Sequence, residues 1–202
     1  MNKKLTIIFS AIIVVAVAAA AVAFFMPAAP VDLNLTMLTA DPQTAPERPP
    51  AFPDPALLII QMPDSPNIAL GKPVTASSFT DIYVATNAVD GQPTSYWESE
   101  GLPAEFTIDL QGTYNIQTVG VTLNPSPLWE ARTQAFEILI SADGSNFTSL
   151  VPSARYEFNP NYGNAVRVDF APTSAQFVRL IFTENTASRT QGAQAAQIMV
   201  FE

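Results

Sequence analysis

The sequence predicts an all-β fold, an antiparallel β-sandwich of jelly-roll type, and three observations lead there. Six short segments alternate polar with apolar residues, turn signals separate them, and the same region carries no capped 3.6-residue apolar stripe. Period-two alternation buries one face of a strand. Many short strands joined by turn-rich loops then pack as two sheets or a jelly roll.

The segments, in chain order, are EFTIDL (Glu105–Leu110), TVGVTL (Thr118–Leu123), FEILIS (Phe136–Ser141), AVRVDF (Ala165–Phe170), FVRLIF (Phe177–Phe182) and AQIMVF (Ala196–Phe201). Asp143-Gly144, between FEILIS and FTSL, is a hairpin turn signal. All lie within residues 67–202, a stretch long enough for one sizeable core. Trp97, at the start of a further strand, reads as a core aromatic. Arg179, inside FVRLIF, reads as structural, with Asp109 or Asp169 as its carboxylate partner.

Two other compositions precede this domain. In residues 1–26, Lys3 and Lys4 lead an uncharged run from Leu5 to Met26, the layout of a secretory signal. The run exceeds the ~7–15 residues usual for a signal's apolar core and approaches the ~20 that span a bilayer. Ala21-Val22-Ala23 offers a cleavage site, yet Phe24-Phe25-Met26 continues the apolar run, so a signal peptide and an uncleaved signal-anchor helix both stand. Either way, lysines on the N-terminal side place the body outside the cytoplasm, secreted or anchored by a single N-terminal span. Residues 27–66 hold ten of the 18 prolines and read as an extended, semi-rigid spacer. The apolar island ALLIIQM (Ala56–Met62) within it reads as a strand or plug against the following domain.

Charge and composition remove several functions. A net charge of −9 leaves no basic patch for nucleic acid. Without cysteine there is no disulfide framework, and without histidine no imidazole base. Glu98, Glu100 and Glu130 are the carboxylates from which a glycosidase pair would have to be drawn, and nothing beyond their presence supports one. The chain reads as non-catalytic.

The order of motifs resembles the discoidin domain family, the coagulation-factor C-type, galactose-binding-like β-sandwich. The matching pieces are NIALGKPVTASS (Asn67–Ser78), NAVDGQPTSYW (Asn87–Trp97), FTIDLQGTYNIQTVGV (Phe106–Val121), FEILISADGSNF (Phe136–Phe147), FVRLIF and AAQIMVFE (Ala195–Glu202). The segments WEARTQAFEILISADGSNFTSLV, YEFNPNYGNAVRVDF and ENTASRTQGAQAAQ are similar to the bacterial carbohydrate-binding modules of that family. The resemblance implies a polysaccharide or cell-surface glycan as partner, bound at the loop end of the sandwich, with membrane contact only through an uncleaved N-terminal helix. Family members that bind proteins or lipids through the same loops keep an envelope-adhesion role open.

The resemblance also implies a structural calcium ion, stapling the first loop to the last strand. Matching positions offer the Asn87 carbonyl, the Asp90 carboxylate, the Gln92 carbonyl, the Ser95 carbonyl and hydroxyl, the Ala196 carbonyl and the side chain of Gln197. The family's glutamate at that last position is here a glutamine, which removes one of two formal charges from the set. Asp90-Gly91 is in any case a tight turn.

The remaining candidates line a ligand site. Trp129, in the proline-flanked loop NPSPLWEAR, either closes one end of the sandwich or offers its indole face to the C–H face of a sugar ring. Arg132 presents a planar fork of donors suited to adjacent hydroxyls. Glu98, Asn185, Tyr162 and Tyr83 complete the expected binding set.

Overall fold

The computed structural model describes residues 59–202. The expected helix of residues 1–26 and most of the spacer of residues 27–66 lie outside the described residues. The described chain is all-β, with antiparallel sheets and two short 3-10 turns, Ala85–Val89 and Pro160–Tyr162. Its strands are β1 (Val74–Ala76), β2 (Trp97–Glu98), β3 (Ala104–Thr122), β4 (Arg132–Ser141), β5 (Thr148–Phe158), β6 (Ala165–Asn185), β7 (Gln194–Ala195) and β8 (Gln197–Phe201). One sheet runs β1-β3-β6-β4-β5 with β8 also on β3, and a second joins β2 to β7.

Two strands are longer than their alternation suggests. Glu105–Leu110 and Thr118–Leu123 fall almost wholly in β3, and Ala165–Phe170 and Phe177–Phe182 both fall in β6. The intervening residues break the period because the β3–β6 register shifts between Asp109 and Tyr114 and again between Ile116 and Thr118. A bulge inserts unpaired residues without ending the strand, so the pairing resumes on the far side. Gln111 carries the positive φ of 61° that the first irregularity requires. The two ends of β3 then take different neighbours: β1 beside Phe106–Ile108, β8 beside Thr118–Thr122.

Strand β5 left little trace in the sequence beyond FTSL. It is the edge strand after β4, most of its residues are partly or fully exposed, and it contains Pro152. An edge strand needs neither a full apolar face nor every backbone donor, so proline is tolerated there. The turn between β4 and β5 does centre on Asp143-Gly144. Asp143 Oδ1 accepts from the backbone N–H groups of Ser145 and Asn146 at 2.9 and 2.8 Å, and Gly144 takes φ = 75°. Those donors hold the Asp143 carboxyl well below the usual carboxylate range.

The core is built around Trp97, Phe106, Phe136, Phe158 and Phe182, all fully buried. Each such side chain removed from water contributes roughly 1.5–3 kcal/mol. Trp97 packs on Phe106 and Phe182 at ring separations of 5.0 and 5.8 Å, and its indole N–H donates to the Ser78 carbonyl. It is a core aromatic, as its place in the sequence indicated.

Arg179 has different partners from the two aspartates expected. Its Nε donates to Thr107 Oγ1 at 2.8 Å, its Nη1 lies 3.2 Å from Glu105, and its guanidinium covers the Phe147 ring. In the β3–β6 register Arg179 faces Thr107, so Glu105 and Asp109 lie on either diagonal. Asp109 is already taken by the Gln111 N–H and the Gln176 amide, and Asp169 by Thr118 and Arg167.

Of the apolar island, Ile59–Met62 is described; it forms no strand, and only Met62 is half-buried while Ile59 and Ile60 stay exposed. The Met62 sulfur lies where a side chain on Gly120 would stand, 2.7 Å from its Cβ position. Arg167 Nη1 donates to the Gln61 carbonyl at 3.1 Å.

Candidate functional site

Strand alternation places the first half of the site. With Trp97 turned into the core, Tyr96 and Glu98 face the other way, into an open cleft of about 350 Å³. Its other lining residues come from two loops and two strand starts. The loop of residues 123–131 gives Leu128, Trp129 and Glu130; the loop of residues 186–193 gives Ser188, Arg189 and Thr190; β4 opens with Arg132 and β7 with Gln194. The volume falls toward the small end of ordinary ligand pockets.

One wall is aromatic. Tyr83 stacks on Tyr96 with ring centroids 4.2 Å apart and planes 19° from parallel. Tyr96 in turn meets Trp129 edge-on, at 4.8 Å and 84°. The Arg132 guanidinium lies 4.9 Å from the indole centroid, within cation–π range. Trp129 is half-buried, fixed by these two neighbours, while Leu128 beside it is 89% exposed. Burial, then the neighbouring Tyr83 hydroxyl, pushes the Tyr96 phenol far above its usual range, so it stays a neutral donor.

The other wall is a hydrogen-bonded chain centred on Gln194. Its backbone N–H donates to Gln134 Oε1 at 2.9 Å, and its own carbonyl accepts from Gln134 Nε2 at 2.9 Å. That pair leaves the Gln194 side chain free to accept from Arg132 Nη1 and donate to Glu98 Oε2 at 2.7 Å. Thr190 donates to the second Glu98 oxygen at 2.8 Å. Arg132 is 7% exposed, and its Nε donates to the Glu130 carbonyl at 3.1 Å. Burial lowers the Arg132 pKa, but an arginine stays charged at any working pH. Among the described residues its Nη2 has no protein acceptor.

Glu130 closes the cleft's edge. Its carboxylate accepts from the Ser188 N–H at 2.6 Å and the Ser188 hydroxyl at 2.8 Å, joining the two loops. Those hydrogen bonds hold its carboxyl below its ordinary pKa, so the clasp is made throughout the neutral range.

Of the residues expected to bind ligand, Trp129, Arg132 and Glu98 share this cleft, and Tyr83 supports it from behind Tyr96. Asn185 does not line it. Its Nδ2 donates to the Gly192 carbonyl at 2.8 Å and its Oδ1 accepts from the Ala187 N–H, bracing the loop that carries Ser188 and Thr190. Tyr162 lies at another recess, with Ile60, Glu157, Asn159 and Ala165. Tyr96, Thr190 and Gln194 went unnoticed in the sequence. Tyr96 was recoverable by counting back two from Glu98, but Gln194 had no signal that separates it from Gln191 and Gln197.

The loop of the expected cation set is equally well defined. The Asn87, Gln92 and Ala196 carbonyls and Asp90 Oδ1 all converge, and the atom they surround is Gln197 Nε2, at 3.2, 3.1, 2.5 and 3.0 Å respectively. The single Ser95 hydroxyl hydrogen is shared between Asp90 Oδ2 at 2.7 Å and the Gln92 carbonyl at 3.0 Å. Calcium in this cage would take the carbonyls, the Asp90 carboxylate and, as one further oxygen, the side chain of residue 197. That oxygen faces away, accepting from the Gly91 N–H at 3.0 Å. The Gln197 amide nitrogen thus fills the position among these oxygens that a cation would take. Among the described residues no three acidic, histidine or cysteine side chains gather elsewhere as a metal site.

A family model described as the F5/8 type C domain matches residues 73–199. Among curated proteins none matches. Solved structures do. Chitosan-binding module 1 from a chitosanase/glucanase of Paenibacillus sp. IK-5 is 26% identical with a TM-score of 0.53, over 67% of this chain and 98% of that one. CBM32-3 from a family 31 glycoside hydrolase of Clostridium perfringens is 21% identical with a TM-score of 0.57, over 68% and 94%. The family 32 module of NanJ from the same organism, solved with galactose, is 19% identical with a TM-score of 0.55, over 65% and 94%.

Proposed function

The chain belongs to the F5/8 type C domain family, and from that membership we propose that it is a non-catalytic carbohydrate-binding module. The observation that carries this reading is the cleft itself, in which a braced indole stands beside a buried arginine and a carboxylate whose positions are already fixed. A sugar ring offers an apolar C–H face and a rim of hydroxyls, and this pairing of surfaces matches it. Arg132 Nη2 would donate to a hydroxyl, and Glu98 would accept from one in addition to its two protein donors. The chitosan-, galactose- and other glycan-binding names of the similar structures support the ligand class.

The jelly-roll sandwich, the display of residues 67–202 outside the cell on the proline-rich spacer, and the anchoring or secretory role of residues 1–26 belong to the same proposal. A site of one stacking ring and a few hydrogen bonds should bind in the roughly micromolar to millimolar range. Retention on a polymeric glycan would then come from many copies acting together.

The full chain in mild detergent, run through affinity gels containing a panel of polysaccharides, tests this. One polymer should retard it, and Trp129→Ala should weaken that retardation about tenfold or more, near 1.4 kcal/mol, with the melting transition intact. Unchanged retardation by the variant would remove the stacking mechanism. The near-complete exposure of Leu128 favours a second reading, an apolar tip that docks on protein or lipid at the envelope. Failure of free sugar to elute a bound target would favour that alternative.

A further inference from the structure

The oxygens of the first loop and last strand surround a nitrogen, and the identity of that nitrogen is fixed by its neighbours. A carboxamide has two N–H donors at one end and an acceptor at the other. Gln197 is 7% exposed, and its acceptor end receives the Gly91 N–H. Turning the amide over would set its NH₂ against that N–H and its oxygen against three carbonyls and a carboxylate. The orientation found is the one in which donors meet acceptors.

Asp90 adds an independent argument. Its Oδ1 accepts from the Gln92 N–H at 2.7 Å and from Gln197, and its Oδ2 accepts from the Ser95 hydroxyl. The one carboxylate in the cage therefore has its charge solvated by three internal donors. We propose that the Gln197 carboxamide is a built-in replacement for a metal ion, stapling β8 to the loop of residues 87–95 and making the fold independent of calcium.

The replacement has a chemical logic. Calcium needs about six to eight oxygens and is held best by formal negative charge. With a glutamate at 197, two carboxylates would face each other across the cage and only a cation would reconcile them. With a glutamine, two N–H hydrogens are shared among the four oxygens around them and the second formal charge is gone, so the repulsion that a cation would offset is smaller.

Thermal melting and calorimetric titration of the full chain in detergent decide the matter. The wild-type protein should melt at the same temperature in calcium chloride and in the chelator EGTA, and should give no heat of calcium binding. Gln197→Glu should melt lower than wild type in EGTA and gain about 5 °C or more when calcium is added, the scale expected for a ligand well above its Kd. Should the variant fail to fold in EGTA, its recovery on adding calcium reports the same cage. Calcium binding or stabilisation in the wild type would overturn the proposal. So would a Gln197→Glu protein indifferent to calcium, since the cage would then not be one that a cation fits.

Discussion

Gln191, Gln194 and Gln197 stand three residues apart in TQGAQAAQ, and each does something different. Gln191 is exposed, Gln194 joins Arg132 to Glu98, and Gln197 fills the oxygen cage of the first loop. Nothing local distinguishes them, because the distant partners of Gln194 and Gln197 lie between 60 and 110 positions away. Trp129, Arg132 and Glu98 were legible, since a tryptophan in a proline-flanked loop has no strand to justify it and the two charges stand close to it or to Trp97, whereas Tyr96 and Arg189, which line the same cleft, were not. Nor was the neutral amide that positions the two charges. Gln194→Ala would remove the acceptor of a nearly buried guanidinium and one donor to Glu98. Loss of hydrogen bonds to charged partners costs roughly 1–3 kcal/mol of stability, and glycan retardation should weaken about as much as in Trp129→Ala. Urea denaturation alongside affinity gels reads both. Wild-type affinity in this variant would mean that Arg132 and Glu98 hold their positions without it.

Whole elements were more readable than single residues, with informative exceptions. The six alternating segments are all strands, yet two pairs of them are halves of continuous strands, because alternation reports burial and bulges interrupt burial without interrupting pairing. Strand β7 was invisible for the opposite reason. It is two residues long, and its place is set by contact with β2 rather than by any pattern of its own. That contact depends on Gly192, where a Cβ would lie 1.8 Å from the Ser99 carbonyl oxygen. Just beyond it, Ala193 exchanges hydrogen bonds with Ser99 on both sides, at 3.0 and 2.8 Å. Gly192→Ala must therefore push the loop of residues 186–193 away from β2. Overpacking of this kind costs typically 1–3 kcal/mol, and here the obstacle is backbone that cannot rotate aside. The midpoint of urea denaturation should fall, and glycan binding should fall with it, because Thr190 and Gln194 leave Glu98 together. A variant with wild-type stability would show that the loop can move off β2 at no cost.

At the scale of the molecule, charge should select among the glycans that the proposed site can take. The chain carries a net charge of −9, while the cleft holds two glutamates against two arginines, Arg132 and Arg189. Its near field is therefore close to neutral and its far field negative. A polymer meets the far field first, and that field reaches well beyond contact distance at low salt but only about 10 Å at 0.1 M. Neutral polysaccharides feel none of it, so a galactan or other neutral polymer that binds should retard the protein equally at about 20 mM and about 500 mM salt. An anionic polymer such as polygalacturonate should be disfavoured at low salt, with any retardation growing as salt screens the repulsion. The opposite trend, strong retardation by the polyuronate at low salt that disappears at high salt, would mean that Arg132 and Arg189 act as an acid-sugar receptor. Local pairing would then outweigh the charge of the whole body. Measured against the same gels, the slope with salt separates recognition by ring stacking from recognition by charge, because only the second depends on ionic strength.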